Sequence, residues 1–182
     1  HILNMRYKVY PCCGIIQGPL DCFTAIVDEN RLAPEEIEKV RVLLDPLSEE
    51  PLWHSRQIEN EVEAQFSVPY VMAVAAHGLE LGAEWQDPST RKSPRITGFM
   101  DKVTFATHPD YGRAALEDHD ARMARVDVQA RGRTHSVERS HTRGAATPET
   151  ARLSDQELEE KFRHNTAGRL ARNKVDEAVK FI

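Results

Sequence analysis

The sequence predicts an α+β domain: a small antiparallel sheet of three or four strands with helices packed against one face, followed by two further helices. Two observations predict the sheet: Val40, Val42 and Leu44 alternate with other residues, and polar and apolar residues alternate over residues 122–130. A third observation predicts a buried helix, because residues 68–77 are almost wholly apolar. With 182 residues and 40% hydrophobic content, the chain is long enough to form one core.

The first half of the chain is predicted to alternate between short strands, helices and a loop. We expect a strand over residues 6–10, a helix over 19–27 with Pro19 in its first turn, a helical turn at 34–36, a strand ending at Asp45 and a loop over 46–61. Ser67 is a favourable N-cap for the helix at 68–77, and Gly78 closes that helix at its C′ position.

The second half is predicted to be an antiparallel hairpin between helices. We expect a helix over residues 94–100, strands over 102–107, 122–130 and 134–141, and a turn at 131–133 in which Gly132 takes a positive φ. Residues 143–152 are small, polar and proline-containing, which predicts a domain boundary that separates 1–145 from 146–182. Beyond it, Ser154 and Glu157 form a capping box for a helix to about Asn165, and a last helix begins at Asn173.

Composition excludes several classes of protein. A formal net charge of −5 argues against nucleic acid as a partner, because binding to phosphates needs a basic surface. No apolar run is long enough to span a bilayer and no signal-peptide pattern opens the sequence, so we expect no membrane partner. Three cysteines, two of them adjacent, make a poor disulfide framework and indicate a reducing compartment such as the cytoplasm.

The sequence also predicts chemistry without a metal or cofactor. Cys12, Cys13 and Cys22 lack the spaced Cys-x-x-Cys pattern of zinc or iron–sulfur ligands, and the eight histidines are scattered. There is no phosphate-cradling glycine loop and no Gly-x-Ser-x-Gly elbow.

One segment resembles a known signature. Lys8-Val9-Tyr10-Pro11-Cys12-Cys13-Gly14, followed by Gln17 and Asp21, is similar to the Lys-x-Tyr/Phe-Pro run, later His and Asp-containing helix of the MmgE/PrpD family. That family includes 2-methylcitrate dehydratase, an enzyme of propionate metabolism, and cis-aconitate decarboxylase. Gln17 stands where the family often has His, and Cys13 stands where decarboxylase-type members have His.

Three further blocks extend the resemblance over nearly the whole chain. They are Ile37-Glu38-Lys39-Val40-Arg41-Val42, then Ala64-Gln65-Phe66-Ser67-Val68-Pro69-Tyr70, and the C-terminal group of Leu153-Ser154, Glu157-Leu158 and Lys161-Phe162-Arg163. The match is to the second half of a full-length member. Because the chain opens with His1 directly before a mid-protein motif, we expect a fragment or a processed piece.

The resemblance implies a fold and an assembly. Residues 1–145 would be a lid-type domain, and residues 146–182 would return to an all-helical domain. We therefore expect the missing N-terminal helical domain as a partner, and a homodimer in the cytoplasm.

The resemblance also implies site residues. Lys8 is the expected catalytic residue, because a fixed cation stabilises the negative charge that develops when a C–H next to a carboxylate loses its proton. Tyr10, Cys13 and Gln17 are expected to bind substrate: Tyr10 keeps a hydroxyl, Cys13 forms a polar wall, and Gln17 donates hydrogen bonds but does not titrate. Asp21 either holds a neighbouring group or interacts with a helix N-terminus.

The expected reaction is dehydration of a 2-methylcitrate-like polycarboxylate by proton abstraction α to a carboxylate. Decarboxylation and epimerisation share that step and stay open. In the family, the general acid and base lie largely in the helical domain, so we expect the isolated chain to be inactive. The alternative is a non-catalytic α+β binding or assembly module.

Overall fold

The computed structural model describes residues 5–181 of the chain. The helices are α1 (Gly14–Asn30), α2 (Glu61–Phe66), α3 (Val68–Ala76), α4 (Pro88–Arg91), α5 (Pro94–Met100), α6 (Tyr111–Glu117), α7 (Asp155–Thr166) and α8 (Arg172–Val179). The strands are β1 (Ile37–Leu44), β2 (Val103–Thr107), β3 (Ala124–Ala130) and β4 (Arg133–Arg139). This arrangement confirms the predicted α+β class.

The four strands form one sheet in the order β2-β1-β3-β4. Strand β3 pairs antiparallel with both β1 and β4, as predicted. The prediction of a wholly antiparallel sheet is wrong for one pair, because β1 and β2 run parallel. The chain between them carries α2 to α5, and such a long crossover returns a strand in its original direction, which a tight turn cannot do.

One face of the sheet builds the core. Val40 pairs with Val128 and Val42 with Val126, and all four side chains are fully buried. Helices α1 and α3 pack against this layer and bury their own apolar residues on it. Apart from the buried Leu43, the opposite face of β1 and β3 carries charged and polar side chains, which explains the alternation in the sequence.

The predicted caps and turn are confirmed. Ser67 accepts a hydrogen bond from the Tyr70 backbone N–H at 3.2 Å, and Gly78 follows the helix with φ +63°. In the hairpin turn, Arg131 and Gly132 have φ values of 51° and 69°, the two positive angles that a type I′ turn requires. Ser154 caps α7 with Glu157 as its capping-box partner.

Two predictions at the N-terminus are wrong. Residues 6–10 form no strand. The segment makes one backbone hydrogen bond to a neighbouring segment, from the Tyr7 N–H to the Gly144 carbonyl at 2.9 Å, and not the series of bonds that pairs two strands. Helix α1 begins at Gly14, so Pro19 lies inside it and not in its first turn. Burial of this helix against the sheet outweighs the backbone hydrogen bond that proline cannot make.

The two C-terminal helices are attached differently from the rest. No residue of α7 is fully buried, and in α8 only Val175 is, whereas eight of the nine residues of α3 are buried. Within residues 5–181, no helix has both the length and the apolar character that crossing a bilayer requires. The domain boundary near residue 145 stays a prediction.

Candidate functional site

The signature segment is held in place by the buried amide of Gln17. Its Oε1 accepts a hydrogen bond from the Tyr10 backbone N–H at 3.0 Å, and its Nε2 donates to the carbonyls of Tyr10 at 2.9 Å and Cys12 at 3.3 Å. Without Gln17 the Tyr10 N–H would lack this acceptor and the Cys12 carbonyl this donor, whereas the Tyr10 carbonyl also accepts from the Cys12 backbone N–H at 2.8 Å. Gln17 therefore joins the first turns of α1 to the residues before it.

Tyr10 places a hydroxyl group beside α1. Its ring lies 6.2 Å from that of Trp85, and its hydroxyl lies 3.1 Å from Thr24 Oγ1. Burial, followed by the nearby charge of Asp21, raises the pKa of Tyr10. The phenol therefore stays protonated near neutral pH and acts as a hydrogen-bonding group.

Asp21 is a buried carboxyl at the floor of the same region. Its Oδ2 accepts a hydrogen bond from the Arg143 backbone N–H at 2.8 Å, which ties α1 to the chain beyond β4. Burial raises the pKa of Asp21 and outweighs the opposing effects of that hydrogen bond and of Tyr10. Asp21 lies seven residues after Gly14, so the helix-terminus interpretation is wrong and the holding role is confirmed.

A polar cleft of about 500 Å³ opens beside Tyr10 and Asp21. Strand β4 aims Arg139 into it: Arg139 pairs directly with the buried Ala124, so both side chains lie on the α1 side of the sheet. The cleft is lined by Tyr10, Asp21, Thr24, Ala25, Asp28, Glu138, Arg139, Ser140, His141, Arg143, Pro148, Thr150 and Ala151. The lining carries both signs of charge: Arg139 and Arg143 can bind a carboxylate by paired hydrogen bonds, whereas Asp28 and Glu138 are acidic.

Among residues 5–181, Arg139 has no ion-pair partner, which leaves its guanidinium available. His141 is fixed instead, with Nε2 at 2.9 Å from Asp118 Oδ2 and Nδ1 at 3.0 Å from Ser140 Oγ. The Asp120 backbone N–H, and then His141, lower the pKa of Asp118. Arg143 pairs with Glu157 of α7, which attaches that helix to the rim of the cleft.

The structure separates the four predicted site residues. Tyr10 lines the cleft, whereas Gln17 is buried behind it and Lys8 is exposed outside it. Cys13 is half-buried at the N-cap of α1, where its backbone N–H donates to the Gln65 carbonyl at 2.9 Å. Their roles toward a substrate stay predictions.

The basic side of the cleft was not among the predicted site residues. Arg139, His141 and Arg143 lie at alternate positions, and in an extended chain such residues point to the same side. This alternation of basic residues is the sequence pattern that could have indicated the cleft. The alternation is hard to recognise because Arg143 begins the small, polar stretch that predicts a linker. Within the described residues, no group of three or more His, Cys, Asp or Glu side chains is placed to hold a metal ion.

Comparison with known proteins gives the family. The model of the MmgE/PrpD C-terminal domain matches residues 10–181, from Tyr10 of the signature segment to the end of the last helix. No curated protein matches the chain. The predicted resemblance is confirmed: the chain belongs to the MmgE/PrpD family of dehydratase- and lyase-like enzymes, as its C-terminal domain.

Proposed function

We propose that this domain supplies part of the active site of a cofactor-independent lyase that acts on a small polycarboxylate. Family membership supports the class of reaction. The observation that carries the substrate class is the cleft in which Arg139 and Arg143 lie beside the hydroxyl of Tyr10. Arg139, which has no ion-pair partner among residues 5–181, and the neutral hydroxyl of Tyr10 suit a ligand that carries a carboxylate and a hydroxyl, while Arg143 is paired with Glu157.

In this proposal Lys8 stabilises charge in the transition state. Its side chain is exposed, and therefore accessible to a substrate held between this domain and the helical domain. When a base in the helical domain removes a proton α to a carboxylate, negative charge spreads onto that carboxylate, and a fixed ammonium lowers the energy of this state. Tyr10 and Cys13 would contact the substrate directly. Gln17 would do so only by giving up contacts to residues 10–12, so we assign it the support of Tyr10.

We propose dehydration of a 2-methylcitrate-like acid as the reaction. The base takes the α proton, the hydroxyl on the neighbouring carbon leaves as water after it receives a proton from an acid, and a carbon–carbon double bond forms. Epimerisation begins from the same carbanion-like state and returns the proton to the other face, whereas decarboxylation forms such a state when CO₂ leaves and then protonates it; both are the alternatives. We further propose that the complete enzyme is a cytoplasmic homodimer and that this chain alone is inactive.

The first experiment replaces Lys8 in the protein that also contains its helical domain. Lys8→Ala is expected to lower kcat/KM by about two orders of magnitude, the usual effect of removing one charge-stabilising group. Lys39→Ala is the matched control, because Lys39 is an exposed lysine on β1. Turnover of Lys8→Ala close to that of the control would remove Lys8 from the mechanism.

The second experiment identifies the reaction. The protein that also contains its helical domain is incubated with 2-methylcitrate in D₂O and followed by NMR. Alkene formation shows dehydration, release of CO₂ shows decarboxylation, and deuterium incorporation with inversion shows epimerisation. We expect the alkene. Absence of all three over a panel of polycarboxylates would contradict a lyase acting on this class.

One observation favours the non-catalytic alternative. Gln17 uses its amide inside the fold, and Lys8 lies outside the cleft, so the signature segment has a clear structural role without a substrate. A binding or assembly module would join its helical partner stably and still show no turnover with any substrate tested.

A further inference from the structure

We propose that Ser140, His141 and Asp118 form a second reactive site at the rim of the polar cleft, in which the Ser140 hydroxyl is a nucleophile that accepts the acyl group of a carboxylic ester. The substrate class is an ester whose acyl part carries a carboxylate. This activity needs no proton abstraction from carbon, and it does not rest on the lyase reaction proposed above.

Two hydrogen bonds join the three side chains in series. His141 Nε2 lies 2.9 Å from Asp118 Oδ2, and His141 Nδ1 lies 3.0 Å from Ser140 Oγ. An ionised carboxylate only accepts hydrogen bonds, so Nε2 carries a proton, and the neutral ring then has its lone pair at Nδ1. The Ser140 hydroxyl therefore donates to a base. This is the connectivity of a Ser-His-Asp triad, with the two ring nitrogens exchanged.

Asp118 is fixed in the position that orients the ring. Its Oδ1 accepts from the Asp120 backbone N–H at 2.8 Å, which leaves Oδ2 to His141. The Asp120 backbone N–H, and then His141, lower the pKa of Asp118, so this carboxylate is ionised near neutral pH. Asp118 and His141 are 23 positions apart, so tertiary structure brings them together and not a local turn.

The backbone that carries the nucleophile is also fixed. Arg139 pairs with Ala124 at the end of β4, and one residue further the Ser140 carbonyl accepts from the Arg122 backbone N–H at 2.7 Å. The His141 side chain is 20% exposed, whereas Ser140 is an exposed residue that lines the cleft. The base is therefore sheltered while the hydroxyl stays accessible to a ligand.

The reaction is ester hydrolysis in two steps. In the first, Ser140 Oγ bonds to the carbonyl carbon and its proton passes to His141 Nδ1; the bond from that carbon to the leaving oxygen then breaks, and the alcohol takes the proton. In the second step, water attacks the acyl-serine by the same route, which releases the carboxylic acid and restores the hydroxyl. Asp118 stays ionised and stabilises the imidazolium that forms in each step.

Arg139 selects the acyl group. Its side chain lies in the same cleft and has no ion-pair partner among residues 5–181, whereas Arg143 is paired with Glu157. A carboxylate on the acyl part would bind this guanidinium by paired hydrogen bonds and hold the carbonyl carbon at the cleft. The same positive charge lowers the energy of the negative oxygen that forms during the attack.

Covalent labelling of the full chain with diisopropyl fluorophosphate tests the nucleophile, with the modified residue identified by peptide mass spectrometry. We expect Ser140 to be labelled and Ser136 to stay unmodified. Ser136 is the internal control, because it is an exposed serine on β4 whose hydroxyl donates to Asp127 Oδ1 at 2.7 Å and so has a carboxylate as its partner instead of an imidazole. Absence of label at Ser140, or equal labelling of both serines, would overturn the proposal.

Two variants test the other members of the series. His141→Gln and Asp118→Asn should each slow the labelling of Ser140 by about a hundredfold or more, the first because the base is lost and the second because an amide can donate to Nε2 and so favour the wrong tautomer. His135→Gln, on β4, is the control and should label at the unchanged rate. Hydrogen exchange of β3 checks that each variant is folded. An unchanged rate in His141→Gln would show that the imidazole does not activate Ser140.

The substrate class is tested with two chromogenic esters, mono-4-nitrophenyl succinate and the neutral 4-nitrophenyl butyrate. The succinate ester should have a kcat/KM about tenfold higher, and Arg139→Gln should remove this preference, whereas Arg133→Gln at an exposed position of β4 should keep it. Equal rates for both esters with Ser140 labelled would refute the assigned acyl class alone. Because neither test uses lyase turnover, their failure is distinct from failure of the proposed dehydration.

Discussion

At the scale of single residues, two buried polar side chains of α1 hold the region around the cleft. Gln17 satisfies the backbone of the signature segment, and Asp21 satisfies the backbone N–H of Arg143. Each therefore stabilises a segment that has no strand ladder or helix of its own. Gln17 thereby holds Tyr10 in place at the cleft, and Asp21 holds Arg143.

Gln17→Ala is expected to lower the free energy of unfolding by about 1–3 kcal/mol, because the buried Tyr10 N–H loses its acceptor and the Cys12 carbonyl loses the Gln17 donor. Urea denaturation measures the change. Gln129→Ala, at an exposed position on β3, is the control and should stay within about 0.5 kcal/mol of the unchanged protein. Equal effects of the two substitutions would show that the hydrogen bonds of Gln17 to the backbone contribute nothing to stability.

Asp21→Asn is expected to flatten the pH dependence of stability. Because burial raises the pKa of Asp21, the folded protein keeps this proton at pH values where the unfolded chain, with an ordinary aspartate pKa near about 3.9, has released it. The free energy of unfolding therefore falls as pH rises from about 4 to the raised pKa of Asp21, and an asparagine side chain has no such proton. Urea denaturation across this range would show the difference, with Asp28→Asn on the exposed side of α1 as control. Parallel curves for the Asp21→Asn variant and the unchanged protein would contradict the assigned direction.

At the scale of elements, two helices with similar serine caps differ in what holds them. Ser67 caps the buried helix α3 and is itself buried, where it also donates to the Ser55 carbonyl at 2.6 Å. Ser154 caps α7, an element with a capping box but without a fully buried residue. The same local motif therefore begins one helix of the core and one helix of the surface.

Ser67→Ala is expected to lower global stability by about 1–2 kcal/mol, since it removes a cap and leaves the Ser55 carbonyl without its donor. Ser154→Ala should change global stability by less than about 0.5 kcal/mol and increase exchange only in α7. Thermal denaturation and hydrogen exchange of the two variants separate these effects. A large global loss in Ser154→Ala would mean that α7 folds as part of the core.

At the scale of the whole molecule, the described chain consists of a packed sheet-and-helix body and two helices with little buried surface. Leu170 is 51% exposed and Phe181 is 91% exposed, so apolar surface is uncovered at this end. The body instead buries a continuous cluster that runs from Val9 to Ala130. The C-terminal helices need contacts beyond those described to reach comparable stability.

Residues after about 143 are expected to exchange amide hydrogens much faster than α3, because local opening of α7 and α8 exposes little buried apolar surface. Hydrogen exchange of the isolated chain at a single pH tests this directly. Equal protection of α3 and α7 would show that the chain is one self-sufficient domain.

Local patterns were sufficient where short-range interactions decide the structure. The cap at Ser67, the left-handed turn at Gly132 and the alternation in β1 and β3 were all predictable, because each depends on neighbours within a few residues. The start of α1 was not, since Pro19 argued for a later beginning and only packing on the sheet outweighs it. The signature residues could be identified from the sequence, but their different places could not: Tyr10 lines the cleft, Gln17 binds backbone and Lys8 is exposed.

The sequence by itself determined the family, the α+β class and the positions of most elements, because these follow from motif, periodicity and capping. Only the tertiary structure decided that β2 runs parallel to β1, that Gln17 binds backbone, and that Arg139 and Arg143 meet Tyr10 at one cleft. The physical reason is distance along the chain. Tyr10 and Arg139 are brought together by strand register and helix packing, which depend on the whole core and not on any local run of residues.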